Sequence, residues 1–289
     1  MSSKVALVLG ASRGIGRQIA LSLAENGYKV GVASKTTAQT ASLPGTIHSV
    51  TAEIEDAGGK AVAIKCDCRN PSEIDGAVDT CIETFGKLDY AIYNAGAILW
   101  KPVIDTPLKR YDLMHSVNVR GAYVMVQKVL PYFIEQGSGK ILLVAPPIYS
   151  RFFKGKTPYS ITKVGMTVLV HGLANELKGT GVSVTALWPA TGIESFVTQQ
   201  QNVPQDVMRK STIFADACLE IGKDDAQSLN GEALLDEDYL HSKGVTDFSV
   251  YRCNPDVEPP RMMPRKFPSL LVEEDESLKL IKPKNQSKL

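Results

Sequence analysis

Tyr159 and Lys163 stand four residues apart in the run Lys140–Lys163, KILLVAPPIYSRFFKGKTPYSITK. On a helix that spacing stacks two side chains on one face, with their heads in reach of each other. An ammonium beside a phenol favours the phenolate and lowers its pKa, which suits a tyrosine that exchanges a proton with a substrate oxygen. The run itself reads as a buried strand, a proline-broken loop and the first turn of a helix. The spacing alone does not select this pair, because Tyr239 and Lys243 repeat it in a chain with ten tyrosines.

A second constellation lies near the N-terminus. The apolar run Val5–Leu9 leads into Gly10-Ala11-Ser12-Arg13-Gly14-Ile15-Gly16 and then into a helical pattern through Ile19 and Leu23. Strand, glycine loop and helix together form a phosphate-binding turn, in which glycines let the backbone approach a pyrophosphate at the helix N-terminus. The next strand, predicted over 29–34, ends in Ser34-Lys35-Thr36-Thr37, with no carboxylate before Glu53. An acid at this point would bind a ribose 2′-hydroxyl. Lys35 and Arg13 instead offer two cations where a 2′-phosphate would lie, so NADP(H) is expected over NAD(H).

Composition narrows the function classes. The 289 residues are 44% apolar and 22% charged, ordinary for a globular chain, with a net charge of +1. That charge gives no basic field for nucleic acid or anionic lipid. The odd count of five cysteines (66, 68, 81, 218 and 253) reads as reduced thiols in an intracellular protein. Cys66-Asp67-Cys68 lacks a second cluster at metal-ligand spacing, so no metal is expected. No apolar run approaches the ~20 residues that cross a bilayer, and Val5–Leu9 is too short for a signal peptide. The chain ends in Ser287-Lys288-Leu289, the peroxisomal address read by an import receptor, which predicts a peroxisomal protein.

The elements that position these residues alternate. Helices are predicted over 46–57, 71–85, 109–136 (interrupted near Pro131), 159–178 and 212–221, with Thr106 as a cap leading into the third. Strands are predicted over 61–66, 88–93, 182–188 and 232–235, and Pro189–Val203 reads as irregular. Asp67 falls just past a strand, in reach of an adenine edge, and Asn94-Ala95-Gly96 follows another. Asn118 sits inside a helix among Val117, Val119, Ala122 and Tyr123, where such a residue satisfies a backbone group or a water. Seven strands alternating with helices predict an α/β fold, a doubly wound parallel sheet of Rossmann type in one domain over 1–253. From Asn254 the prolines and charges of residues 254–289 read as a tail, wrapped or disordered.

GASRGIG at 10–16, Asn94-Ala95-Gly96, Asn118, Tyr159-x-x-x-Lys163 and Pro189 occur in one order, and together they resemble the short-chain dehydrogenase/reductase family over roughly residues 3–250. The runs DTPLKRYDLM, VNVRGAY, ITKVGM and ALWP narrow the resemblance to peroxisomal reductase domains that carry a C-terminal sterol-carrier domain. This chain ends without one, so any lipid-transfer module would have to be another polypeptide. The resemblance implies an oxidoreductase of a carbonyl or secondary alcohol on an acyl or sterol-like lipid, often a homo-oligomer paired through its two long helices. It implies Tyr159 as acid/base, Lys163 lowering its pKa and holding the nicotinamide ribose, and Asn118 positioning a water that relays protons. It places Asn94 and Gly96 on the nicotinamide side, Asp67 at the adenine and Ile193, after Pro189, at the carboxamide. The Tyr239/Lys243 pair then falls beyond the last core helix and is expected on the surface. One position departs from the family pattern: the strand-end Ser that holds the substrate carbonyl is replaced by Pro146, with Ala145 before it. Ser150 or Tyr149 is left to reach in from the loop. Two other readings follow from that gap and from the compartment: a nucleotide-binding protein with weak catalysis, and an enoyl- or dienoyl-type reductase.

Overall fold

A computed structural model of the chain describes residues 3–39 and 44–270. Ser287-Lys288-Leu289 lies outside the described residues.

The first half runs β1 (Val5–Leu9), α1 (Gly14–Glu25), β2 (Lys29–Ser34), α2 (Ile47–Asp56), β3 (Lys60–Lys65), α3 (Pro71–Phe85) and β4 (Tyr90–Tyr93). Next come α4 (Leu108–His115), α5 (Gly121–Gln136), β5 (Gly139–Val144), α6 (Thr157–Glu176) and β6 (Val182–Trp188). The C-terminal third holds β7 (Gly192–Ile193), α7 (Phe196–Gln200), β8 (Met208–Arg209), α8 (Thr212–Lys223), β9 (Ala233–Leu235) and α9 (Asp236–Ser242). Seven strands form one parallel sheet in the order β3-β2-β1-β4-β5-β6-β9. The chain reverses its direction of winding between β1 and β4, so their C-terminal ends open the crevice in which such sheets bind ligands.

Burial follows from the sequence of β1. Val5, Leu7 and Leu9 pack with α3, α5 and α6 on one face, while Ala6 and Val8 pack with α1 and α8 on the other. A strand covered on both faces has no polar alternation, which is why it reads as a continuous apolar run. The helix ends follow local chemistry. Thr46 and Ser49 form a reciprocal capping box on α2, Pro71 opens α3, and Gly86 closes it in the left-handed conformation.

Three expectations are corrected. The long helix does not break at Pro131, which lies inside a continuous α5. It changes instead to a π-helical turn over Ser116–Arg120, centred on Asn118. A widened turn lets a side chain leave the helical row, and here the Asn118 side chain bonds a neighbouring loop. Thr106 does not cap α4. Its hydroxyl donates to the Pro102 carbonyl at 2.9 Å, and Pro107 takes the cap position. The segment after Pro189 is not irregular throughout, because β7 pairs with β8 and Ser195 caps α7 with a capping box.

The described part of the tail is built into the fold through Glu258, Arg261 and Met263. All five cysteines are unpaired. Among the described residues, no helix is long and apolar enough to cross a membrane.

Candidate active site

A cavity of about 380 Å³ opens above β1, β2 and β4. Gly10, Ser12, Arg13, Gly14 and Ile15 line one wall, Ser34, Lys35 and Thr36 a second, and Asp67 with Asn94, Ala95 and Gly96 a third. The glycines divide between packing and access. A Cβ on Gly16 would stand 2.1 Å from the Gly10 carbonyl oxygen, so Gly16 lets α1 approach the loop and does not line the cavity. Gly14 has φ +54° and nothing within 4 Å of its Cβ position, so it leaves the space over the helix N-terminus open. Arg13 caps α1 without a side-chain bond, and the first turn carries no acid. The free amides of that turn therefore face a cradle that fits a pyrophosphate. The residues present fit a nicotinamide dinucleotide.

The β2 end of the cavity holds the cations expected from sequence. Arg13 donates to Thr36 Oγ1 at 3.0 Å and to the Pro44 carbonyl at 3.1 Å, and its guanidinium lies 5.9 Å from the Phe196 ring centre. Ser12 and Ser34 share a hydrogen bond of 3.1 Å. Lys35 is near enough to Asp67 to help hold that carboxyl below its usual range, although the bond from Arg69 is the larger cause. Asp67 accepts from Arg69 Nε at 2.9 Å. No carboxylate stands at the end of β2.

Asn94 donates to the Gly10 carbonyl at 3.0 Å and so fixes the end of β4 to the glycine loop. The loop then passes Gly96, where a Cβ would lie 3.6 Å from Asn118 Oδ1 and 3.7 Å from Lys163 Nζ. Asn118 is fully buried. Its Oδ1 accepts from the Ala97 amide at 2.7 Å, and its Nδ2 donates to the Ala97 carbonyl at 3.0 Å and to Thr162 Oγ1 at 2.9 Å. The side chain thus staples the 94–98 loop to α6.

Lys163 Nζ, also buried, donates to the Val144 carbonyl at 2.9 Å and lies 5.7 Å from the Trp188 ring centre. Burial pushes its pKa down to about 7. Tyr159 is 3% exposed, packed with Met114, Phe152, Ala97, Ile98 and Trp188. Burial pushes its phenol above the ordinary value. The expected lowering of the Tyr159 pKa by Lys163 is therefore not what this structure holds. Both heads are desolvated, and burial that drives the lysine toward its neutral form weakens it as a counter-charge.

The family model for short chain dehydrogenase matches residues 4–205. The chain belongs to the short-chain dehydrogenase family.

Hydroxysteroid dehydrogenase-like protein 2 from Danio rerio is 39% identical over 252 residues, covering 86% of this chain and 60% of that protein. The Homo sapiens protein of the same name is 38% identical, with the same coverage. The chain thus spans about 60% of the length of these curated relatives. Among solved structures, a short chain dehydrogenase from Mycobacterium thermoresistibile superposes with a TM-score of 0.83 at 36% identity, over 89% of this chain and 93% of that one. A 7α-hydroxysteroid dehydrogenase complexed with NADH and 7-oxo glycochenodeoxycholic acid superposes at 0.69 with 25% identity, over 80% of this chain and 92% of that one.

In this short-chain dehydrogenase the end of β5 offers the site no side-chain donor. Pro146 is buried and its carbonyl accepts from Thr167 Oγ1 at 2.7 Å. Neither proposed substitute faces the cavity. Tyr149 donates to the Met263 sulfur at 3.1 Å, and Ser150 is exposed at the start of a 3-10 turn. Pro189 and Ile193 do not line the cavity either. Ile193 is buried in the β7–β8 pair, and Ser195, Phe196 and Val197 take its place in the wall.

These three residues, with Ser34, Thr36 and the Cys66 and Cys68 that flank Asp67, were missed as lining. The S-x-x-T spacing of Ser195 and Thr198 was the available signal, because a capped helix start presents its neighbours to an adjoining cleft. Of the Tyr239/Lys243 pair, Lys243 is exposed as expected, but Tyr239 is buried. Tyr239 is 5% exposed and donates to Asp224 at 2.7 Å, and Lys243 pairs with the same carboxylate. Asp224 closes α8, at the end of the sheet opposite the cavity.

Proposed function

We propose that this chain is an NADP(H)-dependent oxidoreductase that interconverts a carbonyl and a secondary alcohol on a lipid-type substrate, acyl or sterol-like. The observation that carries the reading is the placement of Tyr159 and Lys163: neither lines the nucleotide cavity, but both are buried against the Gly96–Ile98 loop that does. The bound nicotinamide supplies or accepts the hydride. Tyr159, kept protonated by burial at neutral pH, holds the proton that the carbonyl oxygen takes up on reduction. Lys163 exchanges a proton near pH 7 and is held to the end of β5 by the Val144 carbonyl. Asn118 keeps the 94–98 loop against α6.

Preference for the 2′-phosphorylated cofactor is supported by Arg13, Lys35 and the absence of an acid at the end of β2. The lipid class is supported by the apolar setting of Tyr159 and by the names of the hydroxysteroid dehydrogenase relatives. Peroxisomal import is proposed from Ser287-Lys288-Leu289, and deleting these three residues is expected to leave the protein cytosolic. Self-association through the long helices is supported by exposed Tyr123 and Ile134 on α5 and Ile161 and Val168 on α6. Light scattering in solution tests it, and a monomer would remove it.

The cofactor claim is tested by titration. NADPH is expected to bind at least tenfold more tightly than NADH, and Lys35→Glu to remove the difference. Tighter NADH binding would overturn the assignment. Pro146 favours a second reading, a nucleotide-binding protein with weak catalysis, since losing one preorganised donor costs about 10²–10³ in rate. Tight NADPH binding without turnover on a panel of ketones would select it.

A further inference from the structure

The tail packs over the loops that follow β5 and β6 and is tied down at two points. Glu258 accepts from Arg209, which is 3% exposed, at 2.5 Å, and pairs with Arg252 at 2.6 Å. Arg261 donates to both oxygens of Asp238 at 2.8 and 2.5 Å. Beyond these clamps the amides of Met262 and Met263 both donate to the Ala190 carbonyl at 2.9 Å, and Arg151 donates to the Met262 carbonyl at 2.7 Å. The tail thereby bridges the loop after β5 and the loop after β6, the two loops that flank Tyr159.

Its side chains then join the aromatic set around the tyrosine. Met263 is 5% exposed and receives the Tyr149 hydroxyl on its sulfur, and Phe267 meets the Tyr149 ring edge-on at 5.5 Å. Tyr149 lies 6.1 Å from Phe152, which lies 6.5 Å from Tyr159 and 5.6 Å from Trp188, centre to centre. With Tyr159 only 3% exposed, a substrate can reach its hydroxyl only if part of this set moves. Tyr149 and Phe152 belong to the loop after β5, and Trp188 ends β6. Met263 and Phe267 sit on a single strap held from outside by ion pairs, and a thioether adapts its shape to what it packs against.

The structure assigns Met263 and Phe267 as specificity-determining residues, which back the Tyr149–Phe152 aromatic cover of Tyr159 and bound the apolar substrate chamber that opens when that cover moves. This assignment rests on the oxidoreductase reading above. Arg209, Glu258 and Arg261 act through the strap and are positioning residues.

The test compares NADPH oxidation with a small ketone (butanone) and a fused-ring ketone (decalone) in the full chain. Met263→Ala and Phe267→Ala are expected to shift the kcat/KM ratio toward decalone by about tenfold, the scale at which an apolar pocket discriminates size. NADPH affinity should stay unchanged. Glu258→Gln, remote from the chamber, should raise KM severalfold for both ketones. Phe267 is half-buried, so its variant keeps the test readable if Met263→Ala does not fold.

Ratios within twofold of the parent in the folded variants would overturn the assignment, as would an unchanged KM in Glu258→Gln. Decalone binding is also read without turnover, by quenching of Trp188 emission in a Trp100→Phe background. Phe267→Ala is expected to shift that titration at least fivefold, and an unshifted curve counts against the strap. No NADPH oxidation by the parent with either ketone would instead remove the oxidoreductase reading, while the quench still reports on the strap.

Discussion

Lys163→Met tests whether the ammonium held on the Val144 carbonyl is as desolvated as its packing implies. Lys163 is 3% exposed, and burial brings its pKa from 10.5 to about 7. The folded state therefore releases a proton that the unfolded chain keeps over the window from pH 7 to 10.5. Because the unfolded state binds more protons there, stability rises with pH across that window and is lowest below it. At ~1.4 kcal/mol per pKa unit, the penalty is about 4–5 kcal/mol at pH 7 and about 2 kcal/mol at pH 9. Methionine removes the titration at similar length, while leaving the Val144 carbonyl without its partner at a cost of about 1–3 kcal/mol. The variant should thus be the more stable protein at pH 7 by about 1–4 kcal/mol. Its advantage should shrink by about 2 kcal/mol by pH 9. Lys140, lowered to about 8 by burial, adds a slope of the same sign in both proteins and cancels in the difference. Urea unfolding at pH 7, 8 and 9 gives the number. A difference that does not change with pH would mean that Lys163 is not desolvated in the folded protein.

The other perturbations test separate parts of the site. Asp236, buried under the Ala190 and Glu237 amides at 2.8 Å each, has a pKa raised to about 7, so the folded state holds a proton that the unfolded chain releases above about 4. Stability should fall by about 3 kcal/mol as pH rises from 4 to 7, and Asp236→Asn should flatten that slope in denaturant titrations; an equal slope in both refutes it. Gly16→Ala places a Cβ 2.1 Å from the Gly10 carbonyl oxygen, and should cost at least 1–3 kcal/mol in unfolding free energy and weaken NADPH binding. Thr162→Val leaves Asn118 Nδ2 without its 2.9 Å partner, which predicts a loss of about 1–3 kcal/mol by urea unfolding with NADPH binding retained.

Much of this site could be read from residue types because backbone chemistry dictates it. The glycine loop has to follow a buried strand and precede a helix, and β1 and α1 do so at the expected residues. What escaped was set by packing between distant segments. Asn118 looked like a residue inside an ordinary helix, and only its approach to Ala97 explains why the helix widens there. Tyr239 and Lys243 have the same spacing as Tyr159 and Lys163, and only the position of Asp224 at the far end of the sheet shows that they brace α9. The tail looked like an appendage by composition, since prolines and charges carry no periodicity; its contacts with Ala190, Tyr149 and Asp238 depend on where β6 and α9 end. The loss of a donor at Pro146 was legible, but the fate of Tyr149 was not, because its partner Met263 is 114 residues away.

The central claim is that Tyr159 exchanges the proton while NADP(H) exchanges the hydride. It is tested most directly by single-turnover NADPH oxidation with a reactive ketone, in the parent protein and in Tyr159→Phe, with cofactor binding measured on the same samples. The parent is expected to turn over, and the variant to bind NADPH equally while losing about 10²–10⁴ in rate. Equal rates in the two proteins would contradict the account.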